Sequence, residues 1–215
     1  MCGIDEAGKG PVVGSMFVAG VLMQEKKLAG LEKMGVKDSK LLTHTQRIAL
    51  AKRIREIAED YKVIEVPPAE IDVAVESKTT NLNKLEGEKM AAIINALEPD
   101  KAILDCPSTN IPAFTAFIAS MLDDNKIEMV AEHKADVKYV VVSAASILAK
   151  VAREDAVSKI EKKIGQSIGT GYPSNPECQK FLKENWNRYP DIFRKSWMTW
   201  KVHQKANQQK KLDQF

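Results

Sequence analysis

The chain's 215 residues suffice for one domain with a sizeable core, and 44% hydrophobic with 28% charged residues is the balance of a soluble globular protein. No apolar run approaches the ~20 residues that cross a bilayer, and no basic-then-apolar leader opens the sequence, so neither a membrane protein nor a secreted one is expected. A net charge of +3 is too small to define a polyanion partner, and three scattered cysteines without a C-x-x-C pair exclude a disulfide framework or zinc site and point to the cytoplasm.

The chain opens on Gly3-Ile4-Asp5-Glu6-Ala7-Gly8-Lys9-Gly10-Pro11, two adjacent carboxylates beside a Gly-Lys-Gly turn. Gly3 to Lys9 fits the spacing of a nucleotide-binding P-loop. Gly10 stands where Ser or Thr would hold magnesium, however, and no strand precedes Gly3, so that reading fails. Pro11 to Met23 reads as a strand, Lys27 to Met34 as a short amphipathic piece, and Gly35 to Lys40 as a polar loop. Thr43 with Gln46 forms a capping-box pattern that opens a helix to about Glu59, with Ile48, Ala51, Ile54 and Ala58 on one face. Tyr61 to Val66 alternates as a strand and stops at Pro67-Pro68.

Thr80 or Asn81 caps a helix that Glu98-Pro99-Asp100 ends. Lys101 to Asp105 is a short strand, Ile111 to Met121 a helix, and Ile127 to Glu132 a strand. Val137 to about Lys163 is the longest helix, closed by Gly165 and apolar almost all round at its start, which predicts central burial. A Gly-rich loop, Gly169 to Pro176, precedes two helical stretches, Glu177 to Arg188 and Ile192 to Gln208. From Ile192 onward six basic residues, Arg194, Lys195, Lys201, Lys205, Lys210 and Lys211, face one acid, Asp213. That local excess of +5 on a faintly acidic body suits an electrostatic arm for a polyanion, or equally a solvated terminal helix. Strands alternating with helices predict an α/β fold, a mixed sheet flanked by helices.

Asp5, Asp105 and Asp136 share one setting, at or just beyond a candidate strand end, where open α/β sheets bind ligands. If those strands are neighbours, three Asp and Glu6 converge, and hard divalent cations are the natural counter-charge. Singly, Asp105 and Asp136 also read as caps or turn formers, Asp136 at the head of the long helix. Bare amides at Gly8 and Gly10 next to that acid suit metal-assisted chemistry at a phosphodiester.

These motifs, together with Asp38-Ser39-Lys40, Ser146-Ile147-Leu148-Ala149-Lys150-Val151-Ala152-Arg153 and Gly171-Tyr172-Pro173-Ser174, resemble ribonuclease HII, the type 2 ribonuclease H, over nearly the whole chain. Phe193-Arg194-Lys195-Ser196-Trp197 is similar to the archaeal and eukaryotic branch, and Lys9 departs from the commoner Arg. The resemblance implies a ribonuclease H-like catalytic domain over residues 1–174 and a C-terminal helical substrate-binding extension over 175–215. It implies cleavage of RNA in RNA/DNA hybrids, and cutting 5′ of a single ribonucleotide in duplex DNA, by a monomer with no membrane partner. Asp5, Glu6, Asp105 and Asp136 would then be the catalytic four, holding two Mg²⁺ or Mn²⁺ ions. Gly8, Lys9 and Gly10 would read the ribose 2′-OH and a phosphate through their backbone, and Tyr172 would pack on the junction sugar.

Lys40, Ser146, Lys150 and Arg153 are further candidates for substrate contacts, Lys150 and Arg153 sharing one helix face. Two-metal hydrolysis would leave a 3′-hydroxyl and a 5′-phosphate. A nuclease that used the 2′-OH as its own nucleophile would want a His pair, and His44, His133 and His203 are scattered. Rival readings are a non-catalytic nucleic-acid binder, separable by metal titration, and another two-metal nuclease such as a resolvase, separable by substrate choice.

Overall fold

Strand β1 (Cys2–Ala7) lies at the centre of a five-stranded sheet ordered β3-β2-β1-β4-β5. The computed structural model describes residues 1–36 and 42–212, with side chains through residue 206. β1 pairs antiparallel with β2 (Met16–Leu22) and parallel with β4 (Lys101–Asp105), which pairs parallel with β5 (Glu128–Glu132). β3 (Asp60–Val66) is the edge strand beside β2. Parallel strands are covered on both faces. Accordingly β1 buries consecutive residues from Cys2 to Asp5, and β4 does so from Ala102 to Leu104. β2 starts later than the sequence suggests, because residues 8–15 form an irregular loop with an isolated β-bridge from Val13 to Phe193.

The helices are α1 (Leu28–Lys33), α2 (His44–Ile57), α3 (Pro68–Glu76), α4 (Leu82–Leu97), α5 (Ile111–Ala119), α6 (Ala135–Lys138), α7 (Val140–Ile164), α8 (Pro176–Asn185) and α9 (Met198–Leu212). The chain divides into two compact units. One comprises Met1–Ala7, Phe17–Glu65 and Leu82–Arg153; the other Gly8–Met16, Val66–Asn81 and Glu154–Phe215.

In the first unit α7 presses directly on β1. A Cβ at Gly3 would stand 2.4 Å from the backbone carbon of Val141, so only glycine lets the helix approach this strand. The face from Val140 to Ala149 is buried throughout, as its composition predicts. Thr43 and Gln46 close a reciprocal capping box at α2, although Ile48, expected on its buried face, is exposed. The long helix breaks where the sequence reads straight through. Tyr139 is extended (φ −116°, ψ 116°) and separates α6 from α7. Asp136 therefore lies in the first turn of α6 rather than capping the long helix, and the cap position belongs to Lys134 in the left-handed region (φ 58°, ψ 39°).

The second unit has a core of Val12, Val13, Ile168, Cys178, Phe181, Leu182, Phe193 and Trp200. Phe181 stacks parallel on Tyr189 at 6.5 Å and tilts against Phe193 at 5.8 Å, while Trp186 meets Trp200 edge-on at 6.2 Å. Helix α3 is not expected from the sequence, where Pro67-Pro68 is read only as the end of a strand, as it is for β3. Pro68 instead occupies its first turn, where a missing N–H costs nothing. The Asp72 carboxylate on α3 accepts from the amides of Lys195 and Ser196, each at 2.9 Å, and from Ser196 Oγ at 2.6 Å.

Candidate active site

The parallel ladder between β1 and β4 pairs Gly3 with Ile103 and Ile4 with Leu104. Asp5 and Asp105 are the residues that follow this last pair, on strands about 4.8 Å apart, and the charge of Asp105 acts on Asp5. Asp5 is buried, and its carboxylate oxygen accepts the Glu6 amide at 2.7 Å. Burial above all, then the charges of Glu6 and Asp105, push the Asp5 pKa well above the carboxylate range, against the lowering influence of Ser146 and of the Glu6 amide. Ser146 Oγ is buried with no partner at strict hydrogen-bonding geometry among the described residues, so its effect on Asp5 is that of a nearby dipole rather than a short bond. Glu6 is more open than Asp5 and lies on the other face of the pleat.

Asp105 is anchored from β5's side. Its carboxylate accepts the Ala135 amide at 2.9 Å, a bond made possible by the left-handed turn at Lys134. Asp136 follows Ala135 and is buried, and its backbone carbonyl takes a short hydrogen bond from Ser143 Oγ. His133 Nδ1 stands 3.0 Å from the Cys106 carbonyl, fixing the ring at the strand end. Glu132 completes the row, since it pairs in register with Asp105. Unlike Asp5 it carries its own compensation. Lys138 Nζ and the Tyr139 hydroxyl, the latter at 2.8 Å, hold its pKa below the usual value. No local sequence signal announces this partnership, because it comes with the break at Tyr139.

On α7, Ser143, Ser146, Lys150 and Arg153 recur every three or four residues, which puts the half-buried Lys150 and Arg153 on the helix face that presents Ser146 to Asp5. The structure thus brings together Asp5, Glu6, Asp105 and Ser146 around one strand end, with Asp136 one residue beyond an anchor of Asp105. Lys40 lies outside the described residues.

In the second unit, Gly8 takes a φ of +88°, a conformation that favours glycine, and opens the Gly8-Lys9-Gly10 turn. The Val12 amide donates to the Gly171 carbonyl at 2.9 Å, tying this segment to the Gly-Tyr-Pro loop. Tyr172 lies over Gly10, where a Cβ would meet Tyr172 Cε1 at 3.2 Å, and 39% of its surface stays exposed. Arg194, counted above among the tail's charges, is fully buried and donates to the carbonyls of Gly8 (2.6 Å), Lys9 (2.7 Å) and Gly14 (3.0 Å). Lys201 pairs with Glu76 at 3.0 Å. The electrostatic arm is therefore smaller than the residue count suggests.

Among the described residues, no three His, Cys, Asp or Glu side chains form a ready ion-holding set. The donor chemistry nevertheless fits hard divalent ions. It consists of carboxylate oxygens, and a cation would offset both the burial and the neighbouring negative charge that raise the Asp5 pKa.

A mixed sheet with acidic residues at the ends of its central parallel strands, flanked by helices, defines a ribonuclease H-like nuclease. The ribonuclease HII family model matches residues 2–200. Ribonuclease HII of Pyrococcus furiosus is 42% identical over 99% of this chain and 96% of its own length. The crystal structure of ribonuclease H2 from Pyrococcus horikoshii OT3 superposes with a TM-score of 0.87 at 38% identity, covering 95% of this chain and 97% of that one. RNase HII in the PCNA:RNase HII complex of Archaeoglobus fulgidus gives 0.81 at 39%, covering 94% and 93%. The chain belongs to the ribonuclease HII family, metal-dependent endoribonucleases that cleave the RNA of RNA/DNA hybrids.

Proposed function

We propose that the chain also cuts 5′ of a single ribonucleotide embedded in duplex DNA and leaves 3′-hydroxyl and 5′-phosphate ends. The observation that carries this reading is the approach of Asp5 and Asp105 just past the last paired residues of β1 and β4, close enough for the charge of Asp105 to act on Asp5. Asp5, Glu6, Asp105 and Asp136 would hold Mg²⁺ or Mn²⁺. Divalent ions bound there supply an activated water and stabilise the leaving 3′-oxygen. The chain's own residues do the rest. The Glu6 amide and the Ala135 amide hold the Asp5 and Asp105 carboxylates in place, so the donor oxygens need little reorganisation. Lys150 and Arg153 present cations along α7 for phosphates of the duplex.

In the second unit the amides of Lys9 and Gly10, with the Tyr172 phenol, are suited to the one group that distinguishes a ribonucleotide in DNA, its 2′-OH. Exposed Lys180, Lys183 and Lys205 in the stretch 175–215 add sequence-independent phosphate contacts. The Archaeoglobus relative was solved with PCNA, and we extend to this chain a protein partner of that class. The deciding experiment maps cleavage in Mg²⁺ on a duplex carrying one ribonucleotide. A single cut on its 5′ side, with a product that ligase can seal without end repair, supports the reading, and an intact duplex overturns it.

A further inference from the structure

We infer that Arg194 and Trp197 are positioning residues that aim the amides of the Gly8-Lys9-Gly10 turn, and so set how well this turn receives a ribonucleotide; the inference rests on the reading above. Arg194 has no surface exposure, an unusual place for a guanidinium unless its donors are taken up. Its Nη2 donates to the Gly8 carbonyl, its Nη1 to the Lys9 carbonyl and its Nε to the Gly14 carbonyl. Trp197 lies 5.0 Å from the guanidinium centre with its ring beneath the cation, and its indole N–H donates to the Gly10 carbonyl at 3.1 Å. Three successive carbonyls of the turn are therefore held by two side chains from one short segment.

A trans peptide points its N–H opposite to its C=O. Drawing the Gly8 and Lys9 carbonyls onto Arg194 turns the Lys9 and Gly10 amides the other way, away from the guanidinium. The turn thus presents N–H groups on one side because its carbonyls are occupied on the other. The fork matters as well as the charge. A lysine would keep the cation under the turn but could not span two adjacent carbonyls in one plane.

The segment that carries both side chains is itself held in place. The Arg194 amide donates to the Val12 carbonyl at 2.9 Å, and Asp72 accepts the next two amides and the Ser196 hydroxyl. A loop of glycines would otherwise sample many conformations, so this clamp lowers the entropy that binding must overcome.

The test combines Trp197→Phe, which keeps a smaller aromatic ring and loses the N–H donor, with Arg194→Lys and Arg194→Ala. Three readouts are taken: kcat/KM on a duplex with one ribonucleotide, the ¹⁵N–¹H resonances of Lys9 and Gly10, and Mn²⁺ affinity by calorimetry. Trp197→Phe should lower kcat/KM roughly tenfold and Arg194→Lys on the order of a hundredfold, the losses expected for one and for several hydrogen bonds. Both should shift the Lys9 and Gly10 resonances and leave Mn²⁺ affinity unchanged, since no carboxylate is touched. Millimolar guanidinium should partly restore Arg194→Ala. Unmoved Lys9 and Gly10 resonances together with wild-type kcat/KM would overturn the inference. If Arg194→Lys does not fold, Trp197→Phe decides alone. A wild type that leaves the lone ribonucleotide uncut overturns the proposed function instead, while the resonances still report on the clamp.

Discussion

Asp5 and Asp105 each follow the last pair, Ile4 and Leu104, of the parallel ladder of β1 and β4, which brings two carboxylates a hundred residues apart close enough for the charge of Asp105 to act on Asp5. Glu132, the next residue along the same row, meets Lys138 and Tyr139, whereas Asp5 is buried with the charges of Glu6 and Asp105 acting on it. Asp5 therefore carries, besides the cost of burial, a repulsion that a bound cation would relieve.

The repulsion has a sign in pH. The folded protein holds the Asp5 proton more tightly than the unfolded chain does, because burial and the neighbouring carboxylates disfavour its charge. Stability in EDTA should be highest below the ordinary Asp value of 3.8 as far as this group is concerned, and fall as pH rises towards the elevated folded pKa. Asp5→Asn removes that loss. Its melting temperature at pH 7.5 in EDTA should exceed that of wild type, and the gap should close near pH 4. Mg²⁺ should raise the wild-type melting temperature more than the variant's. Cleavage should fall by more than about a hundredfold in Asp5→Asn and Asp105→Asn, since even partners outside the ligand set cost that much in metal sites. Activity retained in both would remove the carboxylates from the mechanism.

Gly3→Ala probes how the fold places the site. Its Cβ would stand 2.4 Å from the Val141 carbon and 2.5 Å from the Val142 nitrogen, all backbone atoms that no side-chain rotation can clear. α7 must move, and overpacking of this kind costs about 1–3 kcal/mol. Urea denaturation should show a lower midpoint with an unchanged slope. Because α7 also carries Ser146, Lys150 and Arg153, kcat should drop with stability. An unchanged midpoint would mean that α7 can shift from β1 without cost.

Much of this arrangement was legible in the sequence, and the exceptions have physical causes. The capping box at Thr43 and Gln46 is a local device written in adjacent residues, and it forms as read. The short parallel strand at Lys101 to Asp105 shows as an apolar run between turn formers, and the four carboxylates stand out by type and place. What misled was tertiary. Pro67-Pro68 ends the strand as read, but the same Pro68 also begins a helix that the strand reading does not include. Tyr139 carries no breaker signal, and its extended backbone comes with the Tyr139–Glu132 bond, which joins residues on separate elements. Arg194 counts as tail charge in any composition window. Only the fold reveals that it is buried under backbone carbonyls.

Lys134 offers a milder probe of Asp105. A left-handed conformation at a non-glycine residue costs about 1–2 kcal/mol. Lys134→Gly should therefore raise the urea midpoint while keeping the Ala135–Asp105 bond and cleavage. Lys134→Val, β-branched in the same conformation, should lose both. If Val is tolerated as well as Gly, the turn is not what holds Asp105.

The cysteines should be silent. Burial pushes the Cys2 thiol up to about 12 and the Cys178 thiol up to about 11. At pH 8 the thiolate fractions are then roughly one in ten thousand and one in a thousand. Native protein should resist iodoacetamide at pH 8, whereas unfolded chain should take up three equivalents. Both thiols also make the fold weaker above pH 9, where the unfolded chain ionises its cysteines and the folded one does not. Rapid labelling of the native protein at pH 8 would show that one of these sites opens readily.

Tyr172 carries the most discriminating prediction. The ring lies against Gly10, half in solvent, with its chain anchored by the Tyr172 carbonyl, which accepts the Asn175 amide at 3.0 Å, and by Gln179, which donates to the Pro173 carbonyl at 2.7 Å. The loop is thus held independently of the phenol, and Tyr172→Phe should fold as wild type does. If the phenol reads the 2′-OH, removing it strands that hydroxyl beneath the bound duplex, a loss of about 1–3 kcal/mol. That corresponds to roughly ten- to a hundredfold in kcat/KM on a duplex with one ribonucleotide. Tyr172→Ala also deletes the packing surface and should lose more. A long RNA/DNA hybrid offers neighbouring riboses as alternative registers, so both variants should be less impaired there. Comparing kcat/KM on the two substrates for wild type, Phe and Ala decides the matter. Equal losses on both would make Tyr172 a wall of the loop, and would move recognition of the ribose onto the Lys9 and Gly10 amides alone.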